Sequence, residues 1–184
     1  MVALPLLIIK SFHYEGFWKP ASLVIYALSL ILLYAASTFY HSAKEDSKRR
    51  KLNILDHAAI YVLIAGTYTP FTIITLDGVL GWIIFATTWI FAMLGIILKL
   101  FFTGRFDKLS TAMYLLMGWQ VVFFIKPLMK VLTNFGLNLL IIGGVFYTVG
   151  AMLYSIKKIP YNHAIFHLFV LLGSASHFFA LYTL

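Results

Sequence analysis

The chain contains no cysteine, which excludes disulfides, thiolate metal ligands and cysteine nucleophiles. Any metal must therefore rest on histidine and carboxylate. Charge is scarce too: only 11% of the 184 residues are charged, against roughly 25% in soluble domains. So few charges cannot clothe the surface of a water-soluble fold of this size, and lipid is the solvent for most of the chain. Acidic residues are the scarcest, 6 Asp and Glu against 14 Lys and Arg. The resulting charge of +8 does not point to nucleic acid, because the basic residues lie in short loops between apolar runs rather than on one groove-binding element. Orientation in an anionic membrane accounts for them better.

What the chain has in abundance is apolar length. A spanning helix needs ~20 mostly apolar residues, and charges and turn residues cut the chain into segments of that order. These are residues 21–40, 54–76, 78–98 after an Asp77-Gly78 turn, 110–132 with an interruption at Lys126-Pro127, 136–156, and 160–184 with Pro160 in the first helical turn. Residues 2–9 are apolar but short for a span and contain Pro5, so they read as the stump of a first helix. They have neither a basic leader nor a small-residue cleavage site, so a retained segment is expected rather than a signal peptide. No internal repeat or linker stands out, and residues 1–184 read as one domain, an all-α integral membrane bundle of seven transmembrane helices.

If every segment crosses, Lys44, Lys48, Arg49, Arg50, Lys51, Lys99, Arg105, Lys108, Lys157 and Lys158 share one side, opposite Lys10, Lys19, Lys126 and Lys130. Cytoplasmic loops are the Lys/Arg-rich ones, which places the 44–51 loop inside and Leu184 outside. The loop reads most simply as a topology determinant, with anionic-lipid binding as the sharper alternative. Gly143, Gly144 and Gly150 fall within one span, where small residues let helices approach closely. Tryptophans such as Trp82, Trp89 and Trp119 read as interfacial belts and packing.

Ionisable residues inside spans are costly, so each one raises a functional question. Ser37 and His41 are four residues apart at the end of the second segment and share a helix face. Asp56 opens the next segment from the same side. His163 and His167 repeat the four-residue spacing at the start of the last segment, again at the cytoplasmic side. Three distant segments thus deliver His41, Asp56, His163 and His167 to one membrane depth. Three imidazoles with one open position are the ligand set of a catalytic zinc, which acidifies its bound water to a pKa of ~7. Asp56 is then placed to accept the proton.

Plainer readings stand beside these. A histidine pair at a helix end also suits headgroups or backbone carbonyls, serine in a span commonly bonds back to its own helix, and Asp56 at a segment start also suits capping or the helix dipole. His57 lies about 100° round the helix from Asp56 and is assigned to an interface. His177 shares a stripe with His163 but lies ~21 Å along the axis, too far to bind the same ion.

On the Ser37-x-x-x-His41 pattern, the Leu-Asp-His at Asp56, the His163-x-x-x-His167 motif and the His177-Phe178-Phe179 stretch, the chain resembles the hemolysin III family, the bacterial branch of the progestin and adipoQ receptor proteins. The resemblance covers nearly the whole chain and departs at the amino end, where family members usually carry a polar lead and a full first helix. It implies seven transmembrane helices in a bacterial plasma membrane. It also implies zinc on His41, His163 and His167 near the cytoplasmic face, with Asp56 and Ser37 holding the zinc-bound water. The wider superfamily includes alkaline ceramidases, so the resemblance suggests a hydrolase of a lipid amide or ester that enters from the bilayer.

Two other readings fit the same residues. In one the protein regulates or senses membrane lipid state and zinc is structural. In the other it is a haemolytic pore, the weakest reading because pores are lined by polar residues along their length and these spans are polar mainly at one end.

Overall fold

The computed structural model describes residues 3–76, 78–102 and 107–184. Val2 of the first segment, Asp77 of the expected turn, Arg105 and the side chain of Lys108 lie outside the described residues. Among the described residues all regular structure is helical. Helices α1 (Ala3–Ser11), α2 (Trp18–Ser42), α3 (Asp46–Thr75) and α4 (Val79–Phe102) come first, followed by α5 (Asp107–Trp119), a 3-10 turn (Gln120–Phe124), α6 (Ile125–Val131), α7 (Asn134–Ser155) and α8 (Asn162–Tyr182). Among the described residues six segments are long and apolar enough to cross a membrane, with α5 through α6 acting as one of them, and α1 is short. The all-α, multi-span membrane fold read from the sequence therefore holds. The chain divides into two compact units, residues 1–110 and 111–184.

In the first unit, α1 packs on α2, α2 on α3 and α3 on α4. Lipid tails are as apolar as leucine, so these contacts depend on close approach and matched polar groups rather than on escape from water. Gly66 of α3 abuts the Ser29 side chain of α2, and Gly95 of α4 receives the ring of Tyr61 from α3. Tyr61 is fully buried. Trp89 of α4 donates its indole N–H to the Thr69 hydroxyl at 3.1 Å.

Helix α3 is longer than its apolar run. It has 30 residues, about 45 Å, and begins eight residues before the expected start at residue 54. Lys48, Arg49 and Lys51 are good helix formers, and Asp46 in the first turn complements the helix dipole. Pro70 lies inside the helix and removes the N–H that would bond residue 66. The hydroxyls of Thr67 and Thr69 donate to the carbonyls of Leu63 and Ala65 at 2.8 Å each, binding the helix to itself around that position. Lys99, counted from sequence among the loop cations, sits in the last turn of α4 and is only 4% exposed.

In the second unit the expected break at Lys126-Pro127 appears earlier. The chain tightens into a 3-10 turn over Gln120–Phe124 before α6 resumes. Pro127 has no N–H for the carbonyl of Phe123 and its ring crowds that carbonyl, so the strain falls on the turn ahead of it. Helix α7 starts at an N-cap, Thr133, whose hydroxyl accepts the Gly136 N–H at 3.0 Å. Its glycines do not act alike. Gly143 packs against the His177 ring and Gly150 against Phe169, both from α8, whereas Gly144 faces open space. Helix α8 begins at Asn162, not at Pro160, because Tyr161 adopts the left-handed conformation at φ 56° and interrupts the helical path.

Candidate functional site

Ser37 and His41 occupy the last turns of α2. Ser37 is buried and His41 is exposed at the helix end. His41 stacks edge-on with Tyr40, ring centroids 4.9 Å apart, and the guanidinium of Arg49 from α3 lies 5.6 Å from the Tyr40 ring centre. Asp56 belongs to α3. Helices α2 and α3 run antiparallel through a short turn, with Gly66 against Ser29. Counting ten residues back along α3 and ten forward along α2 brings Asp56 level with Phe39, inside the turn from Ser37 to His41. Within this unit the three residues therefore lie at one end of the α2–α3 pair.

The capping reading of Asp56 does not survive. The residue that precedes α3 is Glu45, in an extended conformation, and Asp56 lies well inside the helix with 0% exposure. A carboxylate buried that deeply in a spanning helix carries a solvation cost that partners or a function must offset. His57, assigned to an interface, is buried and donates from Nδ1 to the Asn53 carbonyl at 2.8 Å, one turn back along its own helix.

The second unit holds the other two histidines. The Nε2 atoms of His163 and His167 are 2.8 Å apart, with ring centroids at 4.8 Å and planes inclined by 26°. Four-residue helical spacing stacks the two imidazoles, and both stay partly exposed. Tyr154 of α7 stands edge-on to His163, centroids 5.5 Å apart at 86°. Phe166 lies 5.4 Å from His167. His177 takes no part: its Nε2 donates to the Leu140 carbonyl at 3.1 Å, and Tyr147 meets its ring at 5.2 Å. His177 lies 14 residues beyond His163, ~21 Å along α8.

Sequence reasoning missed two supporting residues. Tyr154 walls one side of His163. Asn162 donates from Nδ2 to the Tyr154 carbonyl at 2.9 Å and thereby fixes the end on which His163 sits. An asparagine next to the histidine motif was the only available signal.

These features define a multi-pass, helical membrane protein. The family model for haemolysin-III related proteins matches residues 1–178, and the chain belongs to that family. Hemolysin-3 of Bacillus cereus is 48% identical over 182 residues, covering 97% of this chain and 83% of that protein. A hemolysin-3 homolog of Bacillus subtilis is 48% identical over 177 residues, covering 96% and 83%. The monocyte to macrophage differentiation factor of Homo sapiens is 29% identical over 175 residues, covering 90% of this chain and 71% of the human protein.

Proposed function

We propose that the protein is a zinc-dependent hydrolase of a membrane lipid amide or ester, with His41, His163 and His167 as metal ligands. The observation that carries the reading is the convergence of the His163 and His167 Nε2 atoms at 2.8 Å. Two nitrogens bound to one tetrahedral zinc at 2.0–2.1 Å stand about 3.3 Å apart, so the pair needs to open by only ~0.5 Å to share an ion. Each of the three histidines offers one imidazole nitrogen, and neutral nitrogen donors without thiolate suit zinc. Bound there, zinc supplies Lewis-acid polarisation of a carbonyl and lowers the pKa of water toward ~7.

The chain's own residues then divide the remaining work. The Asp56 carboxylate accepts a proton from the attacking water and returns it to the leaving group. The Ser37 hydroxyl orients that water. The basic turns of α3 attract an anionic headgroup, and the substrate reaches the site from the bilayer. The Lys/Arg distribution supports a site at the cytoplasmic face of a bacterial plasma membrane with Leu184 outside.

The name of the Bacillus relatives points to lysis instead. Against a pore, the hydroxyls of Thr67, Thr69 and Thr72 donate to carbonyls of their own helix, which favours a packed interior over a polar conduit. A regulator with structural zinc differs from the hydrolase in its fourth metal position, which would hold no exchangeable water.

The deciding experiment is metal analysis by mass spectrometry of detergent-purified protein, wild type against a His163→Ala, His167→Ala double variant. About one zinc per chain, lost in the variant, is the expected result and is followed by a screen of lipid amides and esters. A folded wild type without metal would overturn the proposal.

A further inference from the structure

At the end of the first unit remote from Ser37, His41 and Asp56, a cavity of about 270 Å³ opens between the starts of α2 and α4. That volume is close to the ~300 Å³ at which small-ligand sites begin. Its walls include Phe17, Trp18 and Trp82 together with two opposite charges, Glu15 and Lys19. Gly16 and Gly78, at φ +79° and +77°, also line it. Their left-handed backbone turns the chain into both helices in a way that other residues rarely adopt.

The aromatic rings are arranged, not scattered. Trp18 and Trp82 lie 5.1 Å apart with planes at 86°, so their faces form a right-angled corner. Phe17 braces Trp18 at 5.2 Å, and Phe85 braces Trp82 at 5.6 Å. Tryptophans at a membrane surface often serve only as belt anchors. Belt anchors do not require a carboxylate and an ammonium in the same cavity, and here neither Glu15 nor Lys19 forms an ion pair among the described residues.

The geometry points to a binding site for a zwitterionic phospholipid headgroup, with its ammonium in the Trp18–Trp82 corner beside Glu15 and its phosphate at Lys19. Tryptophan faces attract organic cations, and the carboxylate adds a charge-assisted hydrogen bond to a primary ammonium. Lys19 matches the phosphate as a point charge. An anionic lipid without an ammonium would satisfy Lys19 alone and bring its charge against Glu15. This site is independent of the metal centre and of the reaction proposed there.

Native mass spectrometry of the full chain in detergent, titrated with phosphatidylethanolamine or phosphatidylglycerol, tests the assignment. Wild type should retain one phosphatidylethanolamine in preference to phosphatidylglycerol. Trp82→Ala and Glu15→Gln should each weaken that retention about fivefold or more, through the lost cation–π contact in one and the lost charge-assisted hydrogen bond in the other; phosphatidylglycerol retention should be unchanged in Trp82→Ala and unchanged or raised in Glu15→Gln, which removes a like charge. Glu15 is exposed, so its variant retains the fold even if Trp82→Ala does not. Competition by soluble phosphoethanolamine would assign a water-borne ligand, and competition only by the diacyl lipid would assign the bilayer as its source. Equal retention of the two lipids by wild type, or unchanged retention by Glu15→Gln, overturns the proposal.

Discussion

Asn162 holds the carbonyl of Tyr154 through its side-chain amide at 2.9 Å, tying the end of α7 to the first residue of α8. His163 follows immediately, with the Tyr154 ring against its own. The histidine pair is thus set on a clamped helix end, and groups that orient ligands typically change metal affinity 10–100-fold when removed. Asn162→Ala is expected to weaken zinc binding by about tenfold, read by competition with a chelator, while the far-ultraviolet helical signal stays unchanged.

Cobalt offers a direct view of the ligand geometry. Purified protein reconstituted with Co²⁺ should show the intense visible absorption of a four-coordinate ion, and His167→Ala should abolish it. A spectrum of the weak octahedral type in wild type would count against three converging imidazoles.

Asp56 separates chemistry from architecture. Asp56→Asn keeps the shape of the side chain and removes its basicity, so turnover should fall by about 10²–10⁴ with zinc content and melting temperature near wild type. Loss of zinc in the same variant would make Asp56 a ligand or a scaffold rather than a base.

Neighbouring glycines in α7 should respond differently to enlargement. Gly143 lies against the His177 ring, and Gly144 faces open space. Gly143→Leu is expected to cost roughly 1–3 kcal/mol or more through overpacking, seen as a lower melting temperature in detergent. Gly144→Leu should leave the melting temperature nearly unchanged.

The Glu45 carboxyl is held below its ordinary pKa by Lys48, 2.7 Å away, and by the Ser47 hydroxyl. A folded-state pKa that is depressed contributes stability above the unfolded value, and the contribution disappears as pH falls through the folded one. The group is exposed, and solvent screens the pair. Thermal scans of Glu45→Gln should therefore match wild type at pH 7 and below pH 4 alike.

Much of the fold was legible because lipid imposes a simple rule on sequence: apolar runs of spanning length separated by charges. Ends were harder to read. The beginning of α3 was hidden because a helix can continue past the membrane on Lys and Arg, which interrupt hydropathy but not helical hydrogen bonding. The 3-10 turn at Gln120–Phe124 was displaced from Pro127 because proline acts on the turn preceding it. At the candidate site, the four-residue spacing made the His163–His167 pair readable at once. The depth of Asp56 inside its helix was not readable, since it depended on where α3 begins. The clamp made by Asn162 depends on a loop conformation that no periodicity encodes.

That loop turns on Tyr161, the one described residue other than glycine with a positive φ. Left-handed backbone is unfavourable for a bulky side chain by roughly 1–2 kcal/mol, and with the Tyr161 side chain exposed the adjoining Asn162–Tyr154 hydrogen bond is what braces the turn. An α-helix rotates by about 100° per residue, and the residue at which α8 starts sets the azimuth of everything along it. His163, His167 and His177 are therefore aimed together, as parts of one rotor whose zero mark is Tyr161. A change that moved that mark by a single residue would turn the histidine pair away from its present direction and pull His177 from the Leu140 carbonyl in the same motion.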